Sequence, residues 1–419
     1  MPFERPSVIL YDRWYNLTVP ALSTNWRGVA FGLALASLAT YQLFKLPPVL
    51  PVMLEVYGYD RVLAGGFMSI FAIAGIALSM RIGRGLKRHG LWSYVGGALG
   101  LFLVGEGLTL MAPQVGWLML VARGLEGAGF AICAVAGPLL ANINASPRHL
   151  SLVIGLTAAW VPIGQVSASL IALPALGAGL WRPLWWVGLG LTVALGLWAL
   201  RLRGAVGAVN TDMGRNDDSG DDGQPDAKPV ERRVLMVGAA IFAIFSGQYY
   251  GYMTWLPAFL VETQGFAADG AVWIYLLPTI LVLIFNIGTG PMLRAGAPVA
   301  PMLAGSLAVQ GVIWLTTPYV DGWLGIASLV IYGISCGVGP ACLFALPSTI
   351  MGGHRVDASA FGIIMTGRNL GVLAGPIVLA QAVALTTDWS MVWPIYGGAS
   401  LVAAAAAVYL AVRLRALTA

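Results

Sequence analysis

Twelve apolar stretches, each long enough to cross a lipid bilayer as a helix, constrain the fold of this chain more than any other feature. They lie near residues 28–56, 61–81, 90–112, 115–142, 150–175, 180–202, 234–262, 270–293, 297–317, 321–350, 357–385 and 390–415. A helix of about 20 residues spans the hydrocarbon layer. The chain is only 10% charged, whereas a soluble domain carries about 25% charged residues. The sequence therefore predicts an all-α integral membrane protein with twelve transmembrane helices.

The basic residues are distributed unevenly about these spans. With a cytoplasmic N-terminus, 18 Lys and Arg fall in cytoplasmic segments or at cytoplasmic span ends. Only Arg61 and Arg182 fall on the external side, and the other three lie within spans. This positive-inside bias predicts two cytoplasmic termini and a multi-pass protein of the cytoplasmic (inner) membrane. The net charge of +5 is thus a topology signal, and we expect no nucleic acid partner.

Two polar segments divide the chain into domains. Residues 1–27 lack the pattern of a signal peptide and are predicted to be a cytoplasmic tail, in which residues 10–22 lie on the membrane surface or are loosely ordered. Residues 204–233 are rich in Asp and Gly and have no aromatic residue. Such a segment cannot bury enough apolar surface to fold. We therefore predict a flexible cytoplasmic linker between six-helix bundles at 28–203 and 234–419.

The two predicted bundles carry an internal repeat, as a duplicated helical bundle would. Gln42 and Pro51 of the first span recur as Gln248 and Pro257 at an offset of 206. Further matches at offsets of 207 and 209 are Gly124 with Gly333, Cys133 with Cys342, Pro138 with Pro347, Gly155 with Gly362, and Gly164 with Gly371. These consistent offsets predict a pseudo-symmetric 6+6 architecture.

Two motifs in the first half resemble those of the major facilitator superfamily. The loop GRGLKRHG at 83–90 is similar to the superfamily's signature after its second span, with Gly83, Arg88 and Gly90 matching and Lys87 in place of an acid. Arg123 followed by Glu126 and Gly127 resembles its intramembrane arginine motif. TYQLFKLPPVLP and AWVPIG are loosely similar to the cyanate and nitroimidazole transporter branch.

The resemblance implies a secondary transporter that works by alternating access, usually as a monomer. It also implies that the first, fourth, seventh and tenth helices line a central cavity, which the eleventh helix can also face. Gly83, Lys87, Arg88 and Gly90 would form the gating motif, and the lysine predicts that the cytoplasmic latch is weakened or rebuilt.

Five charged residues lie deep within the spans, at Lys45, Glu106, Arg123, Glu126 and Arg368. Such charges are costly in a membrane and usually mark a pathway or a pairing. Arg123 can be neutralised by Glu106, by Glu126 or by both. Lys45 and Arg368 have no evident acidic partner in their own spans, so the alternatives are snorkelling, an unseen partner, or a site that binds an anion. A guanidinium suits a carboxylate because it offers parallel hydrogen bonds.

We therefore predict a site in which Arg368 and Lys45 hold a small anion, with Arg123 as a further candidate. Glu126 and Glu106 are the candidate proton carriers, since no other carboxylate lies deep in a span. The further candidates for contact with substrate are Tyr41, Gln42, Gln248, Tyr249, Tyr252, Tyr332 and Asn369. Proline and glycine residues in the first, fifth and eleventh spans are candidate hinges, with helix packing as the alternative for each glycine; they are Pro47, Pro48, Pro51, Gly164, Gly371 and Gly375.

These features predict proton-coupled uptake of a small anion, preferably an organic one, across the membrane. The alternative is an exporter of amphipathic compounds, which the aromatic seventh span would suit. An enzyme is not expected, because the histidines are far apart and no nucleophile or metal-ligand motif is present. The three cysteines lie in apolar stretches without metal or redox spacing, so we expect neither a metal nor a cofactor. A receptor is not expected either, because no stretch of this sequence predicts a signalling domain.

Overall fold

A computed structural model describes residues 23–203, 229–351 and 358–418 of the chain. Within these ranges it leaves out the side chains of residues 78–89, 147, 150–151, 154–155, 158, 358–359, 361 and 415–418. The predicted surface segment at 10–22 and most of the predicted linker, residues 204–228, lie outside the described residues.

Helices account for nearly all of the described chain, in twelve successive passes. They are α1 (Trp26–Tyr57), α2 (Arg61–His89), α3 (Leu91–Met111), α4 (Gly116–Ile143), α5 (Pro147–Ala158 and Trp160–Gly177), α6 (Pro183–Leu202), α7 (Pro229–Glu262), α8 (Ala268–Arg294), α9 (Val299–Thr316), α10 (Gly322–Met351), α11 (Ala358–Thr386) and α12 (Val392–Thr418). Eleven passes contain a helix that is long and apolar enough to cross a membrane, and α2 contains a shorter apolar segment, Arg61–Ala77. The prediction of an all-α fold with twelve helices is confirmed, and eleven of them are candidate membrane spans.

Two of the passes are interrupted, and both belong to spans in which hinge residues were predicted, although the positions of the breaks were not. The first consists of α1a (Trp26–Phe44) and α1b (Leu46–Tyr57), separated at Lys45. The fifth consists of α5a (Pro147–Ala158) and α5b (Trp160–Gly177), separated at Ala159. In addition, α7 begins at Pro229, so the end of the predicted linker is already helical.

The internal repeat is visible in backbone geometry and in helix packing. Gly58 and Gly265 follow α1 and α7 with φ angles of 60° and 69°, a left-handed conformation that glycine adopts without steric cost. Gly164 of α5b lies against Thr40 of α1a, and a Cβ atom at Gly164 would lie 2.1 Å from Thr40 Oγ1. Gly371 lies equivalently against Ser246 of α7, with a corresponding Cβ distance of 2.8 Å.

The two bundles contact each other through pairs of helices that the repeat relates. In these pairs α2 packs on α11 and α5b packs on α8, while α1b packs on α7 and α8. At the end of the molecule predicted to be external, Arg61 Nη2 and Glu262 Oε2 are 2.9 Å apart. The two bundles are therefore joined across this face by direct helix contacts and by an ion pair.

The gating motif is described only in part. Gly83, Lys87 and Arg88 belong to α2, and their side-chain contacts lie outside the described part of the chain. Gly90 joins α2 to α3 with a φ angle of 83°. The role predicted for this motif stays a prediction.

Candidate functional site

The break in α1 exposes backbone carbonyl groups deep in the first bundle. Pro47 and Pro48 have no backbone N–H, so Pro47 leaves the carbonyl of Leu43 without its helical donor. Arg123 of α4 supplies replacement donors, from Nη2 to Leu43 O at 2.9 Å and from Nη1 to Gln42 O at 2.7 Å. Nε of the same guanidinium donates to Phe67 O at 3.2 Å. Arg123 therefore fastens the interrupted first helix to α2 and α4.

Lys45 lies at the break itself and is the centre of a buried ion cluster. Its Nζ is 3.1 Å from Glu106 Oε1 of α3, 3.0 Å from Glu126 Oε1 of α4, and 2.6 Å from Gln42 Oε1. Glu126 Oε2 in turn accepts a hydrogen bond of 2.5 Å from Arg123 Nη1. All four charged side chains are 0% exposed. We call Lys45, Glu106, Arg123 and Glu126 the four-charge cluster.

The four-charge cluster is electrically balanced, with two cations against two carboxylates. Charges removed from water must be paired and hydrogen-bonded to be tolerated, and here each of them is. No acidic partner for Lys45 was evident within its own span, and the partners come from α3 and α4. In this conformation both Lys45 and Arg123 are committed to protein groups, so the prediction that they hold substrate directly loses its geometric basis.

Close helix packing shapes this cluster around its carboxylates. A Cβ atom at Gly188 of α6 would lie 2.0 Å from Glu106 Oε1, and one at Gly105 of α3 would lie 2.7 Å from Glu126 Cγ. Thr192, also on α6, accepts a hydrogen bond of 3.2 Å from Gln42 Nε2. The two glycines thus make room for the carboxylates.

Arg368 has a different environment, at the contact between the two bundles. Its Nη2 donates to the hydroxyl of Tyr250 at 3.0 Å and its Nη1 donates to Asn369 Oδ1 at 3.1 Å. Both partners are neutral, and the hydrogen bonds are only partly buried. The ring of Tyr250 stacks on Phe44 of α1a, with centroids 5.9 Å apart. Asn369 faces α2, where a Cβ atom at Gly75 would lie 3.7 Å from its Nδ2.

The spans hold no carboxylate partner for Arg368 among the residues that the structure describes. Two of its five N–H groups are used, which leaves donors free for a ligand. Arg368 donates to Tyr250, and Tyr250 stacks on Phe44. Because Phe44 precedes Lys45 in the chain, these contacts connect Arg368 to the four-charge cluster.

In the second bundle, the counterpart of the charged cluster is neutral. Gln248, the repeat partner of Gln42, donates from Nε2 to Gln310 Oε1 at 2.7 Å. Its Oε1 accepts from Trp314 Nε1 and from the Tyr332 hydroxyl, each at 2.8 Å. The ring of Tyr252 stacks on that of Tyr332 at 4.0 Å. Tyr332 thus occupies the repeat position of Arg123, and an amide group replaces the carboxylate beside the repeated glutamine.

The remaining candidates contact protein groups in this conformation. Tyr249 donates to Gln165 Oε1 at 3.0 Å, and Gln165 Nε2 lies 2.7 Å from the hydroxyl of Tyr275 on α8. Tyr41 donates to the carbonyl of Leu184 at 2.6 Å. Tyr249 therefore belongs to an inter-bundle contact, whereas Tyr41 lies inside the first bundle.

Gln310 was not among the residues predicted from the sequence, and Tyr250 was predicted only as one member of the aromatic seventh span. The sequence did carry a signal for Gln310. The repeat relates the ninth helix, which contains Gln310, to the third helix, which contains Glu106. Among the described side chains, no group of three or more His, Cys, Asp or Glu could hold a metal ion.

Comparisons with known proteins agree with this architecture. The family model of the Major Facilitator Superfamily matches residues 29–376. No curated protein matches the chain in a sequence search. The fold is similar to crystal structures of the nucleoside transporter NupG, as a point mutant (TM-score 0.74, 17% identity, 91% of this chain and 99% of that chain) and without that mutation (0.68, 19%, 91% and 98%).

A D-xylose–proton symporter also shares the fold, with a TM-score of 0.66 and 15% identity over 92% of this chain and 97% of the symporter. At such identities the likeness concerns the fold alone. The family match covers most of the sequence, and the all-helical architecture with twelve helices agrees with it. The chain belongs to the Major Facilitator Superfamily, and it is a multi-pass secondary transporter of a small molecule rather than an enzyme.

Proposed function

We propose that this transporter carries a small organic monoanion, which Arg368 binds at the contact between the bundles. The observation that supports this is the charge balance of the described spans. Lys45 and Arg123 are neutralised by Glu106 and Glu126, whereas Arg368 has only the neutral partners Tyr250 and Asn369. One uncompensated positive charge matches a substrate with one negative charge.

The groups around Arg368 favour an organic anion with an apolar body. The rings of Tyr250 and Phe44 provide an aromatic surface beside the guanidinium, and the free N–H donors of Arg368 suit a planar carboxylate. As part of this proposal we assign the chain to the cyanate and nitroimidazole transporter branch. The support is the resemblance of the first and fifth spans, and cyanate is itself a small monoanion.

We further propose that transport is uptake coupled to a proton on the Glu106–Glu126 pair. Lys45 and Arg123 are the charged groups in contact with these carboxylates, together with the neutral groups of Gln42 and Thr192. Adding one proton gives the cluster a net positive charge, which an anion at Arg368 would stabilise. The positive-inside bias supports cytoplasmic termini and a cytoplasmic membrane location, and we expect the protein to act as a monomer.

Uptake by proteoliposomes tests the substrate proposal. We expect benzoate or other monocarboxylates to accumulate, and the neutral amide benzamide and the dicarboxylate succinate not to be carried. Arg368→Gln should reduce monocarboxylate uptake at least about tenfold, since it removes a charge-assisted pair. Arg413→Gln, which alters an arginine of α12 with an exposed hydrogen bond, is the matched control and should transport normally.

Normal monocarboxylate uptake by Arg368→Gln would refute the proposal. Suppose instead that bulky amphipathic compounds raise the thermal unfolding temperature of the purified protein, and that they still do so in Arg368→Gln. This result would favour the exporter alternative.

The coupling proposal is tested by comparing net uptake with exchange. We expect an inward proton gradient, acidic outside, to drive accumulation by the unmodified protein. In Glu106→Gln or Glu126→Gln, which hold one member of the pair in a neutral form, we expect substrate exchange to continue while gradient-driven accumulation is lost. Unchanged pH dependence of accumulation in both variants would rule out this pair as the proton carrier.

A further inference from the structure

The second bundle contains a cavity of its own, separate from the environment of Arg368. It has a volume of about 160 Å³ and opens toward the loops predicted to be external. Seven aromatic side chains line it, together with aliphatic and small residues: Tyr252, Trp255, Phe259, Phe266, Trp314, Trp389 and Trp393. Tyr252 lies two residues beyond Tyr250, about 200° around α7, so the cavity and Arg368 lie on different faces of that helix.

Ring contacts hold these walls in place. Phe259 packs edge-on against Trp393 and Trp389, with centroids 5.0 and 5.3 Å away. At the floor, Tyr252 meets Trp314 edge-on at 5.2 Å. Aromatic rings carry partial negative charge on their faces, and seven such rings line this cavity.

The mouth of the cavity is acidic. Asp321 lines it directly, and an adjoining open hollow that shares Phe259, Trp389 and Trp393 adds Glu262 and Asp388. Within the described part of the chain, no lysine, arginine or histidine lines either space. Glu262 is engaged by Arg61, which leaves the carboxylates of Asp321 and Asp388 available. Hydrogen bonds from Ser390 hold the pKa of the exposed Asp388 carboxyl below its usual value, so this group is ionised at neutral pH.

We propose that this cavity binds a small organic cation, specifically a quaternary ammonium group. Tryptophan faces attract such cations, and carboxylates at the mouth add electrostatic attraction to the same charge. An anion is disfavoured here because the mouth already carries negative charge. The site is independent of the monoanion proposed at Arg368.

Isothermal titration calorimetry with choline tests this proposal. The protein is placed in nanodiscs of phosphatidylglycerol, which contain no other quaternary ammonium group. The neutral isostere 3,3-dimethylbutan-1-ol is titrated in parallel. We expect choline to bind and the isostere to bind at least several-fold more weakly. Equal binding of the two would show an ordinary apolar void, and no binding of choline would overturn the proposal.

Two pairs of variants locate the binding. Trp389→Leu should weaken choline binding about 2- to 30-fold, the range from an exposed to a desolvated cation–π contact. Trp323→Leu, at an exposed tryptophan outside the cavity wall, should not. Asp321→Asn should weaken binding and lessen its dependence on salt, whereas Glu55→Gln, an exposed carboxylate of the first bundle, should change neither. Unaltered choline binding in both Trp389→Leu and Asp321→Asn would refute the site.

The source of the ammonium group and the independence of the two sites are tested separately. If phosphatidylcholine in the nanodisc blocks free choline, the natural occupant is a lipid headgroup; if it does not, the occupant is a soluble cation. Both outcomes support the ammonium site. Arg368→Gln should retain choline binding, and Trp389→Leu should retain monocarboxylate uptake, so either proposal can fail alone.

Discussion

At the scale of single residues, Lys45 shows how a charge can be retained in the interior of a membrane protein. It lies where the first helix is interrupted, and its ammonium group reaches carboxylates from two other helices. The ring of Trp185 lies over it, with the centroid 4.8 Å from Nζ. The lysine is therefore best understood as part of a balanced set of charges.

This balance predicts the response to single and paired substitutions. Lys45→Met leaves two buried carboxylates against Arg123 alone, and we expect a loss of about 3–5 kcal/mol of stability. The double variant Lys45→Met/Glu106→Gln restores neutrality and should recover most of that loss. Thermal unfolding of the purified variants measures both, and a double variant no more stable than Lys45→Met would contradict the charge-balance account.

At the scale of helices, glycines allow α11 to approach α7 closely. Gly367, Gly371 and Gly375 follow one another at intervals of four, and Cβ atoms at these positions would lie 2.0–2.1 Å from carbonyl oxygens of α7. Small residues at such spacing let helix backbones meet in membranes. The structure thus favours packing over a hinge as the role of Gly371 and Gly375, and likewise of Gly164.

Adding one methyl group at these glycines should therefore destabilise the protein, whereas adding it at a glycine without close neighbours should not. Gly371→Ala forces the two helices apart, and we expect a loss of about 1–3 kcal/mol, the usual cost of overpacking. Gly288→Ala in α8 is the control, since nothing lies within 4 Å of its Cβ position. Fluorescence-detected unfolding of both variants provides the comparison. Equal stabilities of the two variants would mean that α7 and α11 accommodate the added methyl group without a loss of stability.

The sequence predicts helices better than it predicts the contacts between them. Apolar runs mark the spans because lipid requires them, and the repeat follows from matched glycines and prolines. The pairing of Lys45 with Glu106 and Glu126 could not be predicted, because it depends on how three helices are rotated relative to one another. The break in α1 was only partly foreseeable: Pro47 and Pro48 indicated a bend, but the donors that satisfy the freed carbonyls come from another helix.

At the scale of the whole molecule, the two bundles meet on the face predicted to be external. The ion pair between Arg61 and Glu262 spans this contact, with the two side chains 35% and 29% exposed. An ion pair with this exposure contributes about 1 kcal/mol or less. It can close the face without preventing the bundles from separating there, as alternating access requires.

A reversible crosslink tests whether this face must open during transport. The chain's own cysteines, Cys133, Cys336 and Cys342, are all buried, so labelling and oxidation should act on introduced thiols. We expect Arg61→Cys/Glu262→Cys joined by a reducible bifunctional thiol reagent to lose uptake and to regain it on reduction. Each single cysteine variant should transport under both conditions. Full uptake by the crosslinked protein would show that the face stays closed throughout the cycle.

The position of Lys45 also has a consequence for how the protein is made. Its carboxylate partners lie 61 and 81 residues further along the chain, so the first helix is synthesised long before either of them. A lone lysine at the centre of a helix costs about 3 kcal/mol on translocon insertion scales. We therefore expect a nascent chain truncated after α2 to insert its first helix poorly, and one extended through α4 to insert it fully. Assembly of the first bundle would then be cooperative, with the later helices completing the entry of the earliest one into the bilayer.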